Sequence, residues 1–129
     1  MTPIVYINCK EQPFLDRILS GQKVYETRNR NTLGRFLGER VLLAETGHGK
    51  PVIRASAVIG SIHSVMTGER YERYRHRLGI DPLSRYDWND DTKIKWLYQL
   101  TDVTPVEPFL MPDNCRRHGR VWAEYYGEE

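Results

Sequence analysis

The stretch Leu19-Ser20-Gly21-Gln22-Lys23-Val24-Tyr25-Glu26-Thr27-Arg28 passes from a helical pattern to an extended one across a single glycine. Upstream, Pro13 suits a first helical turn, and Phe14, Leu15, Ile18 and Leu19 fall on one apolar stripe. Gly21 stands where a helix end favours a left-handed residue. Downstream, Val24 to Arg28 reads as a strand with Val24, Glu26 and Arg28 facing one way and Tyr25 and Thr27 the other. Lys23 sits on the short turn between the two elements. One chain reversal therefore delivers an ammonium, a carboxylate and a guanidinium close together.

The rest of the chain can be read outward from that unit. Ile4 to Ile7 is a short β-favouring run and a first strand, whereas Asn29 to Gly38, rich in Asn, Arg and Gly, reads as loop. Arg40 to Glu45 has the continuous apolar centre of a buried strand, Thr46 to Pro51 turns the chain, and Arg54 to Val65 is a further strand. Thr67 can cap a second helix running to about Leu78, with Gly79 and Pro82 beyond it. Tyr71, Tyr74 and Leu78 share one face of that helix, and Arg70, Arg73 and Arg77 share another. Asp81 to Thr92 is polar and irregular. Ile94 to Leu100 alternates clearly and predicts a central strand that buries Ile94, Trp96, Tyr98 and Leu100. Val103 to Phe109 holds two prolines and can be only edge strand or extended coil. The tail carries a basic cluster, Arg116 to Arg120, then an aromatic run around Trp122, Tyr125 and Tyr126.

These elements predict an α+β fold: a single domain over residues 1–129, built as a small β-barrel of about five to six mostly antiparallel strands with two or more flanking helices. Closure or near-closure would remove exposed sheet edges. With 129 residues, 40% hydrophobic and 28% charged, the chain has globular composition, which argues against a disordered chain. No apolar run is long enough to span a bilayer, and no basic segment followed by an apolar core opens the chain. A cytoplasmic location and no membrane partner are the expectations. Cys9 and Cys115 lack the paired spacing of a zinc site, and His48, His63, His76 and His118 are scattered. Buried free thiols are expected, with no metal and no cofactor. A net charge of +2 is mild, but 14 of the 19 basic residues are arginine, the residue suited to forked contacts with phosphate and to stacking on bases. Thr46 to Lys50 lacks the glycine spacing of a phosphate loop, and no Ser-His-Asp or Cys-His arrangement can be assembled around His63.

The Leu19 to Arg28 stretch resembles the signature of ASCH domains, in which a short helix ends in glycine and is followed by Lys, Glu and Arg entering a strand. Gly38 to Leu43 is similar to the family's next strand, and Ile94 to Leu100 with Val106-Glu107-Pro108 is similar to its late strand. The resemblance implies a PUA-like barrel whose cleft lies beside the first helix, lined by Lys23, Glu26 and Arg28. It also implies RNA as a partner, with some branches acting as hydrolases on modified nucleosides or as ribonucleases. The branch that cleaves acylated cytidine has a threonine where Glu26 stands here. Lys23 matches that branch, but its catalytic helix glutamate has no clear counterpart at Glu69 or Glu72.

The chemistry of the trio supports two uses. As a binding module for RNA or a nucleotide or nucleoside, Glu26 would accept from the exocyclic amine of a base, Arg28 would fork onto phosphate or stack on a ring, and Lys23 would hold a phosphate or carbonyl oxygen. Arg117 and Arg120 would add contacts at the rim. As a small metal-independent hydrolase, Lys23 would lose its proton in a partly dry cleft beside Arg28, and Glu26 would move protons. A third use, as a protein-interaction domain, would show as an exposed apolar patch. From the residues alone, Glu26 and Arg28 are also read as an exposed ion pair, Arg70, Arg73 and Arg77 as a solvated helix face in preference to a phosphate-tracking stripe, and Arg116 to Arg120 equally as nucleic-acid contact or ordinary surface charge. Trp96 and Tyr98 read as core, and Trp122 either closes the barrel or lines its opening. The oligomeric state stays open.

Overall fold

A computed structural model describes residues 1–66, 73–81 and 94–127. Among them, seven strands join one mixed sheet: β1 (Thr2–Asn8), β2 (Tyr25–Arg28), β3 (Arg40–Thr46), β4 (Val52–Met66), β5 (Ile94–Leu110), β6 (Arg116–His118) and β7 (Trp122–Tyr125). The order across the sheet is β2-β5-β4-β3-β1-β7-β6. Only β1 and β3 run parallel; every other pair is antiparallel. The helix α1 (Phe14–Ser20) follows β1 and buries Phe14, Leu15 and Ile18. Pro13 lies just before its first residue, and Gly21 ends it in the left-handed region at φ 85°, donating its N–H to the Ile18 carbonyl.

The sheet curls but does not close, since β2 and β6 form its two ends without pairing to each other. The closed or nearly closed barrel of five to six strands is thus corrected to a seven-stranded open sheet. The additional strands come from the tail, where the basic cluster supplies β6 and the aromatic run supplies β7. β7 lies along β1 with Trp122 opposite Val5. Curling follows from β4 and β5, a long antiparallel pair whose register shifts in three places; each irregularity bends a strand and sharpens its twist. Asp102, at φ 47°, sits in this region, where Arg40 contacts both its carbonyl and its carboxylate. Beyond Leu100, β5 has β4 as its one strand neighbour among the described residues, which is where Pro105 and Pro108 are tolerated.

The two faces of the sheet bury different clusters. Val5, Ile7, Val41, Leu43, Ala55, Ala57, Ile59, Tyr98 and Trp122 pack with α1 inside the curl. Ile4, Tyr6, Ala44, Ile53 and Ala123 face the other way, against Met111 and Cys115. Both cysteines are free and buried. A third cluster corrects the reading of β5: Ile94 is exposed, while Leu97 and Lys95 are buried. Leu97 packs with Tyr25 and Leu78, so the segment before Gly79 covers a face that alternation assigned to solvent. Of the second helix, residues 67–72 lie outside the described residues, and residues 73–75 are helical.

Candidate functional site

The turn after α1 places Lys23 under a cover drawn from far along the chain. Its backbone N–H bonds to the Arg17 carbonyl at 3.0 Å, and the N–H groups of Val24 and Tyr25 both reach the Arg77 carbonyl. Lys23 is only 2% exposed. Nζ donates to the Leu78 carbonyl at 2.7 Å and lies 4.9 Å from the centre of the Phe14 ring. Gly79, at φ 60°, packs directly on the lysine stem; a Cβ there would lie 2.6 Å from the Lys23 Cβ. Arg17 fastens this cover to α1 by donating to the Gly79 carbonyl at 2.8 Å and to Gln12 Oε1 at 2.7 Å, and by pairing with Asp81 at 3.1 Å. Burial pushes the Lys23 ammonium below its ordinary range; the Glu26 charge opposes the shift, and Arg28 and Arg17 add to it.

Glu26 and Arg28 work on the edges of strands. Among the described residues the outer edge of β2 has no strand partner, and the Thr27 N–H on that edge is taken by Glu26 Oε1 at 3.0 Å. Arg28 reaches across the gap to β1, where Nη2 donates to the Tyr6 carbonyl at 2.7 Å. The N–H and C=O of one strand residue point to the same side, and the Tyr6 N–H meets the Val121 carbonyl at 3.1 Å. Arg28 therefore occupies the acceptor at the point where β7 parts from β1. Its Nε is buried with no hydrogen-bond partner among the described residues.

Between these edges lies a cleft of about 240 Å³. Tyr6, Ile7 and Asn8 of β1 form one wall, and Glu26, Thr27, Arg28 and Asn29 form the other. Phe14, Lys23 and Ile80 also line it, and Arg120 reaches it from the tail. The unclosed seam of the sheet is thus the cleft itself. Its size lies just below the range of about 300–1,000 Å³ typical of small-molecule sites, which suits one compact group.

Four of the five residues singled out in the sequence, Lys23, Glu26, Arg28 and Arg120, meet here. Arg117 does not; it is exposed on β6, and its charge is felt by Tyr6 and Cys115 on the other face of the sheet. Lys23 lies under cover, bonded to the Leu78 carbonyl. Glu26 and Arg28 are not an ion pair in water, since each is half-buried and bonded to backbone. Arg77 lies over the Tyr25 ring at 5.3 Å, Arg73 is exposed away from the cleft, and Arg70 lies outside the described residues. Trp122 is core, edge-on to Phe36. Tyr6, Asn8 and Ile80 were missed because strand edges and an apolar wall leave no mark in residue chemistry. No three His, Cys, Asp or Glu side chains gather as metal ligands would among the described residues.

No family model and no curated protein matches the sequence. Solved structures do match. The crystal structure of ASCH from Zymomonas mobilis superposes with a TM-score of 0.69 at 21% identity, covering 85% of this chain and 73% of that one. A tyrosine-to-phenylalanine mutant of that protein gives 0.69 at 21% identity over 85% and 76%, and a serine-to-alanine mutant gives 0.68 at 21% identity over 84% and 73%. The fold is that of an ASCH domain. The overall fold is the one that the resemblance of Leu19 to Arg28 implied. Within that fold this chain keeps an open seam.

Proposed function

We propose that the chain is an RNA- or nucleotide-binding module whose seam cleft receives one nucleotide or nucleoside. The observation that carries the proposal is the convergence of Lys23, Glu26 and Arg28 on one half-enclosed cleft between two strand edges. The free carboxylate oxygen of Glu26 accepts from an exocyclic amine, and the Arg28 Nε–H, which has no partner among the described residues, matches an acceptor on the base or sugar. Phe14 and Ile80 offer apolar contact to a ring, and Arg120 at the mouth suits a phosphate. Among the described residues no helix is long and apolar enough to cross a membrane.

A second reading, a metal-independent hydrolase acting on nucleosides or RNA, is favoured by one observation. A lysine buried beneath the cleft, with its proton held less tightly than usual, is placed to act as a base on a bound ligand. One titration series separates the two uses. Nucleosides, nucleotides and a pool of short single-stranded RNAs are added at low salt to the native protein and to Glu26→Gln, in chelator, with product analysis alongside. Binding that weakens with salt and a base-dependent loss in Glu26→Gln support the module. Turnover that vanishes in Lys23→Met, whose fold is verified by melting, moves the protein to the hydrolases. Absence of any binding at low salt overturns the proposal.

A further inference from the structure

The Arg116 to Arg120 cluster brings to the cleft Arg120 and, beside it, an aromatic ring. His118 lies flat on Trp122, with ring centres 4.1 Å apart and planes inclined by 9°. Trp122 is itself fixed by the edge of Phe36 at 4.8 Å and by the Arg35 guanidinium over its ring at 5.4 Å. The His118 ring is also held by its edge, since Nε2 bonds to Glu124 at 2.7 Å. Glu124 in turn accepts from Tyr126 at 2.9 Å and pairs with Arg116 at 3.5 Å, so its charge is spent locally. The His118 side chain keeps a third of its surface exposed.

This stack stands beside the cleft. Trp122 pairs with Val5, the Val121 carbonyl bonds to the Tyr6 N–H, and Arg120 lines the cleft itself. Gly119, at φ 59° with open space around its Cα, separates the His118 ring from Arg120. A flat ring held on both its face and its edge, bordered by the exposed Arg116 and Arg120, matches a base with its phosphate. An acidic peptide would use the arginines and leave the ring idle.

We infer that His118 is the outer end of an aromatic stack that receives the base next to the nucleotide held in the cleft, making the site a reader of at least two consecutive nucleotides. This rests on the nucleotide reading of the cleft. Stacking of that kind is sequence-tolerant, because every base has a flat face, so the second position adds affinity more than selectivity.

The test compares a 2′-O-methyl mononucleotide with 2′-O-methyl dinucleotides extended on either side, which no cleavage through a 2′-hydroxyl can consume, by calorimetry on the native protein, His118→Ala and His118→Phe. One of the dinucleotides is expected to bind the native protein roughly five- to 150-fold more tightly than the mononucleotide. His118→Ala loses that surplus while its mononucleotide affinity stays unchanged, and His118→Phe, which restores a ring without the bond to Glu124, keeps it. A native protein that binds both ligands equally, or an alanine variant that keeps the surplus, or a phenylalanine variant that loses it, overturns the stacking subsite while leaving the cleft proposal intact. If the mononucleotide itself fails to bind, the cleft proposal and the subsite fall together.

Discussion

Replacing Lys23 with methionine keeps a flexible stem of similar length and removes the charge, so it weighs the cost of a buried ammonium directly. Withdrawing such a group from water costs several kcal/mol. The bond to the Leu78 carbonyl returns about 1.5–3 kcal/mol, the range for a charged donor, and the Phe14 ring about 0.5–2 kcal/mol. The balance is visible in the depressed proton affinity of Lys23, in which burial outweighs the help of Glu26 and the charges of Arg28 and Arg17 add to the depression. Because the folded pKa lies below the ordinary 10.5, the unfolded chain binds the extra proton between those two values. Stability of the native protein therefore rises as pH climbs through that window, and the full penalty is present below the folded pKa. Lys23→Met carries no such dependence and should be more stable at pH 7 by about 1–3 kcal/mol, within the span of single-site effects. Urea unfolding of both proteins from pH 6 to 10 measures the gap, and groups that titrate in both cancel in the difference. The gap should narrow as pH approaches 10.5, and ligand binding should be lost throughout. A methionine variant less stable than the native protein at pH 7, with a gap indifferent to pH, would show Lys23 to be a satisfied structural lysine and refute the reasoning.

Gly79→Ala puts a methyl 2.6 Å from the Lys23 Cβ at a position with φ 60°, and should destabilise by about 1–3 kcal/mol while weakening ligand binding through displacement of Lys23; thermal melts and calorimetry check both. Arg28→Ala removes the bond to the Tyr6 carbonyl across the seam, so it should cost about 1.5–3 kcal/mol and speed hydrogen exchange of the β2 amides; unchanged exchange there would separate Arg28 from the seam. Arg120→Ala, at the mouth of the cleft, should leave the melting temperature within error yet lower the slope of log affinity against log salt by about one for an RNA ligand.

Helix α1 and β2 were readable because their signals are local: an apolar stripe, a glycine at the reversal and an alternating pair of charges. The turn at Thr46 to Pro51 was readable for the same reason. The burial of β5 was misassigned at Ile94, Lys95 and Leu97, because what covers a strand face is supplied by another part of the chain. The tail showed charge and aromatic character but not its pairing, since β6 and β7 are short and owe their place to β1.

The same division runs through the site. Residue types and spacing alone place an ammonium, a carboxylate and a guanidinium around one chain reversal, because neighbours in sequence stay neighbours in space. Whether they face water or a hollow depends on contacts between segments far apart: Leu78 lies 55 residues from the lysine it covers, and Tyr6 lies 22 residues from the arginine that reaches it. The cleft exists because a curled sheet stops short of closing, leaving backbone edges of β1 and β2 opposite each other. Every residue carries the same peptide group, so no pattern of side chains announces which edges will be left open.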